Sequence, residues 1–99
     1  MTERQKIEDL AQDEPVDGLE LVVIRRYPRR MVESANYTGY IAAACGRDES
    51  GIVGIILWGD QVKKVKSGDV VRIEGGICTM KQGELIVSAR DGSIEVLER

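Results

Sequence analysis

Gly51 to Glu74, GIVGIILWGDQVKKVKSGDVVRIE, reads as a strand, a short basic connection and a second strand. Val53, Ile55 and Leu57 fall on one face of a period-two pattern, and Gly54, Ile56 and Trp58 on the other. The first strand closes on Leu57-Trp58-Gly59, and the second opens at Gly68-Asp69. A single Trp at a strand end, beside Gly59 and Lys63, Lys64 and Lys66, admits two readings. It is a bulky core residue, or it is a stacking platform for an unpaired base with lysines in reach of phosphate. These residues alone leave the two level.

Outward from this stretch the pattern stays mostly β. Residues 60–67, DQVKKVKS, offer one or two helical turns with Val62 and Val65 facing inward. Asp69–Ile73 is a strand, Gly75-Gly76 a bulge or corner, Ile77–Met80 its continuation, and Lys81-Gln82-Gly83 a turn into Glu84–Ala89. Asp91-Gly92 turns the chain into a short alternating tail in which Ile94, Val96 and Leu97 are available to pack. Upstream, Arg47–Gly51 is a polar hairpin turn, and Asn36–Gly46 a strand bent at Gly39. A regular strand places Tyr37 and Tyr40 on opposite faces unless Gly39 marks a bulge. Leu19 to about Val32 is a long strand interrupted near Pro28, with apolar residues on both faces from Leu21 to Ile24, as burial on both sides would require. Residues 3–12 place Ile7, Leu10 and Ala11 on one face of a short helix or turn, with Thr2 as cap and Glu3 in its first turn. Residues 13–18, with Pro15 and Gly18, read as a loop.

The 99 residues fit one domain: an acidic N-terminal helix or arm over 1–17, a barrel over 18–90 and a C-terminal tail over 91–99. Five main strands, a helical interruption after the third and Gly corners fit an all-β, five-stranded oligonucleotide/oligosaccharide-binding (OB) barrel. An SH3-like barrel is the competitor, and would normally lack the short helix. The longest apolar runs, Leu21–Ile24 and Ile41–Cys45, are far too short to cross a bilayer, and no secretory segment is evident. A cytoplasmic setting away from membranes is expected, nucleoid-associated if the cell is archaeal.

The net charge of −3 conceals an uneven distribution. Residues 1–20 carry seven acids against Arg4 and Lys6, whereas Arg25, Arg26, Arg29 and Arg30 follow with no acid among them. Lys63, Lys64, Lys66, Arg72 and Lys81 form a second, looser basic set. Such a stripe is either a footprint for phosphate or a solvated surface. Tyr27 between pairs of arginines is the basic–aromatic interleaving that single strands exploit, or a half-buried strand residue. Cys45 and Cys78 are far apart and sit in apparent strands; with no His and no CxxC, they read as small buried hydrophobes, and no metal or cofactor is expected. Catalysis is the class with least support, for want of a nucleophile–base pair.

The chain also resembles the single OB domains of archaeal single-stranded DNA-binding proteins and replication protein A. The resemblance rests on Asp48–Gly51 as the D-x-[ST]-G turn, Leu57-Trp58-Gly59, Gly68–Ile73 as G-D-x-V-x-[IL], and Lys6–Leu10 as the helix before the first strand. It spans roughly residues 6–90. It implies single-stranded DNA binding on the face of the second and third strands, with Trp58 stacking a base. The family's other stacking positions are held here by Ile77 and Lys81, and Phe is absent. The resulting expectation is sequence-independent single-stranded DNA binding in replication, recombination or repair. Trp58, Tyr37, Tyr40 and Tyr27 would stack, and Arg25, Arg26, Arg29, Arg30, Lys63, Lys64, Arg72 and Lys81 would line the backbone path. The alternative is an accessory, protein-interacting OB subunit of a replication-protein-A-like complex, or a homo-oligomer; an RNA-binding OB domain comes third.

Overall fold

The computed structural model describes residues 4–99, so the expected Thr2 cap and first-turn Glu3 lie outside the described residues. The chain folds as β1 (Pro15–Val16), β2 (Leu19–Arg26), β3 (Arg30–Glu33), β4 (Thr38–Asp48), β5 (Gly51–Trp58), α1 (Asp60–Lys64), β6 (Val70–Glu74), β7 (Gly76–Lys81), β8 (Glu84–Ser88) and β9 (Ser93–Glu98). A 3-10 turn at Ile7–Asp9 precedes them, the shorter form of the helix or turn expected over 3–12.

One curled sheet holds the strands in the order β1-β7-β8-β5-β4-β2-β6-β9, with β3 added on β4. All pairings are antiparallel except β5 with β8. This is the expected OB architecture, including the helix that separates it from an SH3-like barrel. Two expected strands are each broken midway. Pro28, which cannot donate to a ladder, separates β2, paired with both β4 and β6, from β3, paired only with β4. Gly75, at φ +66, turns the chain from β6, beside β2, to β7, beside β8. That corner curls the sheet towards closure.

The core follows the alternation. Val53, Ile55 and Leu57 of β5 are buried against Leu19, Leu21 and Val23 of β2, Ala42 and Ala44 of β4, and Val71 and Ile73 of β6. Val62 and Val65 of the α1 region join them at one end of the barrel, and Ile7 and Leu10 also enter the core. Ala11 does not; it is exposed. Val22 and Ile24 are also exposed, so β2 is buried on one face only, correcting the two-sided burial expected from its composition. Cys78 is buried, and burial pushes its thiol pKa up. Cys45 is only half-buried, on the outer face of β4.

A segment read as a loop and one read as an alternating tail are both paired. Pro15 and Val16 bond to β7. Residues 93–98 of the expected tail form β9 on β6, burying Ile94 but leaving Leu97 exposed. The backbone of Gly92 lies against the Glu74 and Gly75 carbonyls where a Cβ would have no room. No helix among the described residues is long and apolar enough to cross a membrane.

Asp48 holds the β4–β5 hairpin and the N-terminal segment together. Its Oδ1 accepts hydrogen bonds from the Ser50 amide (2.7 Å), the Ser50 hydroxyl (2.6 Å) and the Gly51 amide (3.1 Å). Its Oδ2 accepts the Ile7 amide at 2.8 Å, while Ser50 Oγ accepts that of Glu8 at 3.0 Å. Partial burial alone would raise the Asp48 pKa; the hydrogen bonds from Ser50, Ile7 and Gly51 outweigh it and leave the carboxyl below its ordinary 3.8. A folded pKa below the unfolded one contributes stability that is fully present above pH ~4 and lost as pH falls through the folded value. Asp48→Ala is expected to lower the unfolding free energy by about 2–3 kcal/mol in urea titrations at pH 7. The deficit should shrink as the pH is taken below the carboxylate range; a pH-independent deficit would contradict the charged role.

Candidate nucleic-acid interface

Because Leu57 must face the core, its neighbour Trp58 faces out. The register then defines what surrounds it. Trp58 lies opposite Ile41 of β4, which lies opposite Arg30 of β3. The next outward row is Ala43, Ile56, Ser88 and Ile77; the one after it is Arg25, Cys45, Gly54, Ile86 and Thr79. Small and aliphatic side chains therefore floor an open face across β4, β5, β8 and β7.

Trp58 is held firmly at one end of that face. Its indole N–H donates to Ser88 Oγ at 2.8 Å, and its amide to Gln61 Oε1 at 3.0 Å. The other end of Gln61 donates to the Ala89 carbonyl at 2.9 Å, so the start of α1 clamps β5 to β8. Tyr37 meets Trp58 edge-on, with ring centroids 5.0 Å apart and planes at 84°. The Arg90 guanidinium sits in the corner, 4.9 Å from the Trp58 centroid and 5.0 Å from that of Tyr37, and donates to the Asn36 carbonyl.

Gly39 makes the Tyr37 position available. Tyr37 folds back over it and donates from its hydroxyl to the Tyr40 carbonyl at 2.8 Å. A Cβ on Gly39 would lie 2.9 Å from that hydroxyl, and φ there is +153°. Tyr37 thus shares Trp58's surface, whereas Tyr40, one residue before the outward Ile41, belongs to the opposite side and packs under Arg29 at 4.5 Å. The expectation that only one of the two tyrosines can join Trp58 holds.

The run of four arginines divides between the two sides. Arg25 and Arg30 flank the Trp58 face. Tyr27 bonds to Ala43 and lies beneath Arg25, ring centroid to guanidinium 4.8 Å. Arg26 and Arg29 instead line a separate cleft with Lys63, at the end of the barrel. Lys81 shares the outward face of β7 with Thr79 and Ile77, at the tip of the β7–β8 hairpin. Lys64 is exposed at the end of α1. Arg72 is on β6, two strands from β4, with Nη1 2.7 Å from Glu20 and Nε 2.7 Å from Glu74. Its charge is already matched by carboxylates, which separates it from the cations around Trp58. Sequence reasoning missed Arg90, Ser88 and Gln61. Their roles depend on β8 lying parallel beside β5, which no local pattern announces.

No protein-family model matches the sequence, and no curated protein matches it significantly. Solved structures do. The chain is similar to the second OB-fold domain of replication protein A from Methanococcus maripaludis, with a TM-score of 0.80 and 20% identity over 98% of this chain and 97% of that one. It is also similar to an OB domain from Thermoplasma acidophilum, with a TM-score of 0.79 and 22% identity over 97% of this chain and 88% of that one. These likenesses and the strand order together make the chain an OB-fold domain.

Proposed function

We propose that this domain binds single-stranded DNA without regard to sequence, by stacking a base against Trp58 and holding the backbone with flanking cations. The observation that carries this reading is the Trp58–Tyr37–Arg90 cluster, fixed by Ser88 and Gly39 at the end of an open, uncharged sheet floor. A Trp needed only for the core would not be turned outward and oriented through its indole N–H. Arg25 and Arg30 border this face on one side and Lys81 on the other, which supports phosphate contacts flanking the stacked base. The replication-protein-A name of one structural neighbour supports a place in replication, recombination or repair.

A second reading has its own support. Ile77 is 46% and Ile52 68% exposed on the same outward face. Such apolar groups suit a protein partner or a second copy as an accessory OB subunit. Sedimentation separates the two: a monomer that binds oligothymidylate favours the first, and a dimer indifferent to DNA the second. Competition between matched DNA and RNA oligomers decides the sugar.

Titrating the single Trp with a short oligothymidylate is expected to quench its emission. The logarithm of affinity should fall against log salt with a slope of about 2, as roughly three neutralised phosphates on a single strand give. No quenching, or a salt-independent isotherm, would overturn the reading. With a labelled oligomer, Trp58→Ala is expected to cost about 1–3 kcal/mol of binding. Gly39→Ala should displace Tyr37 and weaken binding about 3- to 10-fold, matching Tyr37→Ala, because the edge-on aromatic contact is worth about 0.5–1.5 kcal/mol. An unaltered affinity in both variants would remove Tyr37 from the platform.

A further inference from the structure

A second concentration of positive charge lies away from the Trp58 face. Arg26, Pro28, Arg29, Val62, Lys63 and Lys66 line an open cleft of about 360 Å³ between α1 and the segment joining β2 to β3. Four of its six lining residues are cationic and none is acidic. The nearby buried Asp69 accepts the Lys66 amide at 2.9 Å and is not among them. Arg29 is braced against the Tyr40 ring. Arg26 is half-buried, and its Nη1 is fully shielded from solvent with no hydrogen-bond partner.

That last feature is the unusual one. A guanidinium nitrogen removed from water is normally satisfied by a carbonyl or carboxylate, because leaving it bare costs more than for a neutral group. Here the remaining lining consists of three more cations and two apolar side chains. Like charges gathered around a shielded, unsatisfied donor repel one another unless an anion joins them. A planar guanidinium with ammonium groups on flexible stems suits tetrahedral phosphate. Four cations around one cleft favour a dianion over the singly charged phosphodiesters of a continuous backbone.

We propose that this cleft is a phosphate-monoester pocket, in which Arg26, Arg29, Lys63 and Lys66 bind a dianionic phosphate, either inorganic phosphate or the terminal phosphate of a nucleic-acid strand. Arg26 lies across from Ala44, which pairs with Ile55, three residues before Trp58, and the other wall of the cleft, Val62 and Lys63, follows Trp58 in the chain by four and five residues. A strand stacked on Trp58 could therefore place its end in the cleft.

The test compares melting of the whole chain in chloride and in millimolar inorganic phosphate at matched ionic strength. It also compares binding of hexathymidylates bearing a 5′-phosphate, a 3′-phosphate or neither. Phosphate is expected to raise the melting temperature by about 2–4 °C. The oligomer with the matching end should bind about 5- to 10-fold more tightly than the unphosphorylated one. Both effects should vanish in Arg26→Gln and in the Lys63→Gln/Lys66→Gln double variant, whose changes are on exposed side chains and spare the fold. A phosphate effect with equal oligomer affinities supports the pocket and assigns it to free phosphate. No phosphate effect and no end preference, or effects that persist undiminished in both variants, would overturn it. If the unphosphorylated hexamer fails to bind while phosphate still stabilises the protein, the single-strand reading falls and the pocket stands.

Discussion

The unbroken ladder between β4 and β5 is the constraint on which the remaining structure depends. Eight residue pairs run without a register shift from Ile41 opposite Trp58 to Asp48 opposite Gly51. With side chains alternating along it, burying Val53, Ile55 and Leu57 obliges Gly54, Ile56 and Trp58 to face out. A slip of one residue would send Trp58 inward and three large aliphatics into water. The Asp48 carboxylate guards against that slip at the turn, and the same group ties the N-terminal 3-10 turn to the hairpin. Core packing and site geometry therefore have one origin.

The same period of two redistributes the charge. Arg25 and Arg26 are neighbours in the chain but lie on different sides of the sheet, and so do Arg29 and Arg30. A basic run in sequence becomes two smaller clusters, one flanking the aromatic platform and one lining the cleft beside α1. Arg72 belongs to neither, because Glu20 and Glu74 occupy its hydrogen-bonding edge. Proximity in sequence overstated the size of any single basic track and concealed that these arginines divide between two separate cationic clusters.

The OB fold by itself does not specify a ligand. What narrows the choice is the chemistry on its surface: one oriented indole, a tyrosine made adjacent by a glycine, and a guanidinium over both rings. The face beyond them is aliphatic at Ile77 and cationic at Lys81, where the resemblance implied further stacking residues. The aromatic rings are thus concentrated at one end of the surface, and the far end presents apolar groups and charge.

Much of the fold could be read from the chain because it is encoded locally. The alternation of Gly51–Trp58, the inward Val62 and Val65, the Asp48–Gly51 turn and the Gly75 corner each express a short-range rule of period or backbone conformation, and each appears as expected. The same rule sets Trp58 on the face opposite Leu57, while the residues alone left open which of the two faces is buried. Tertiary structure decided what depends on which strands meet. Pro15–Val16 and Ser93–Glu98 become strands because β7 and β6 present free edges to them. Val22 and Ile24 stay exposed because the sheet curls around only one of its faces. Arg90 reaches Trp58 because β8 runs parallel to β5, thirty residues later in the chain. Local propensity fixes the period and the turns; closure of the barrel, a long-range pairing, selects which side chains become neighbours.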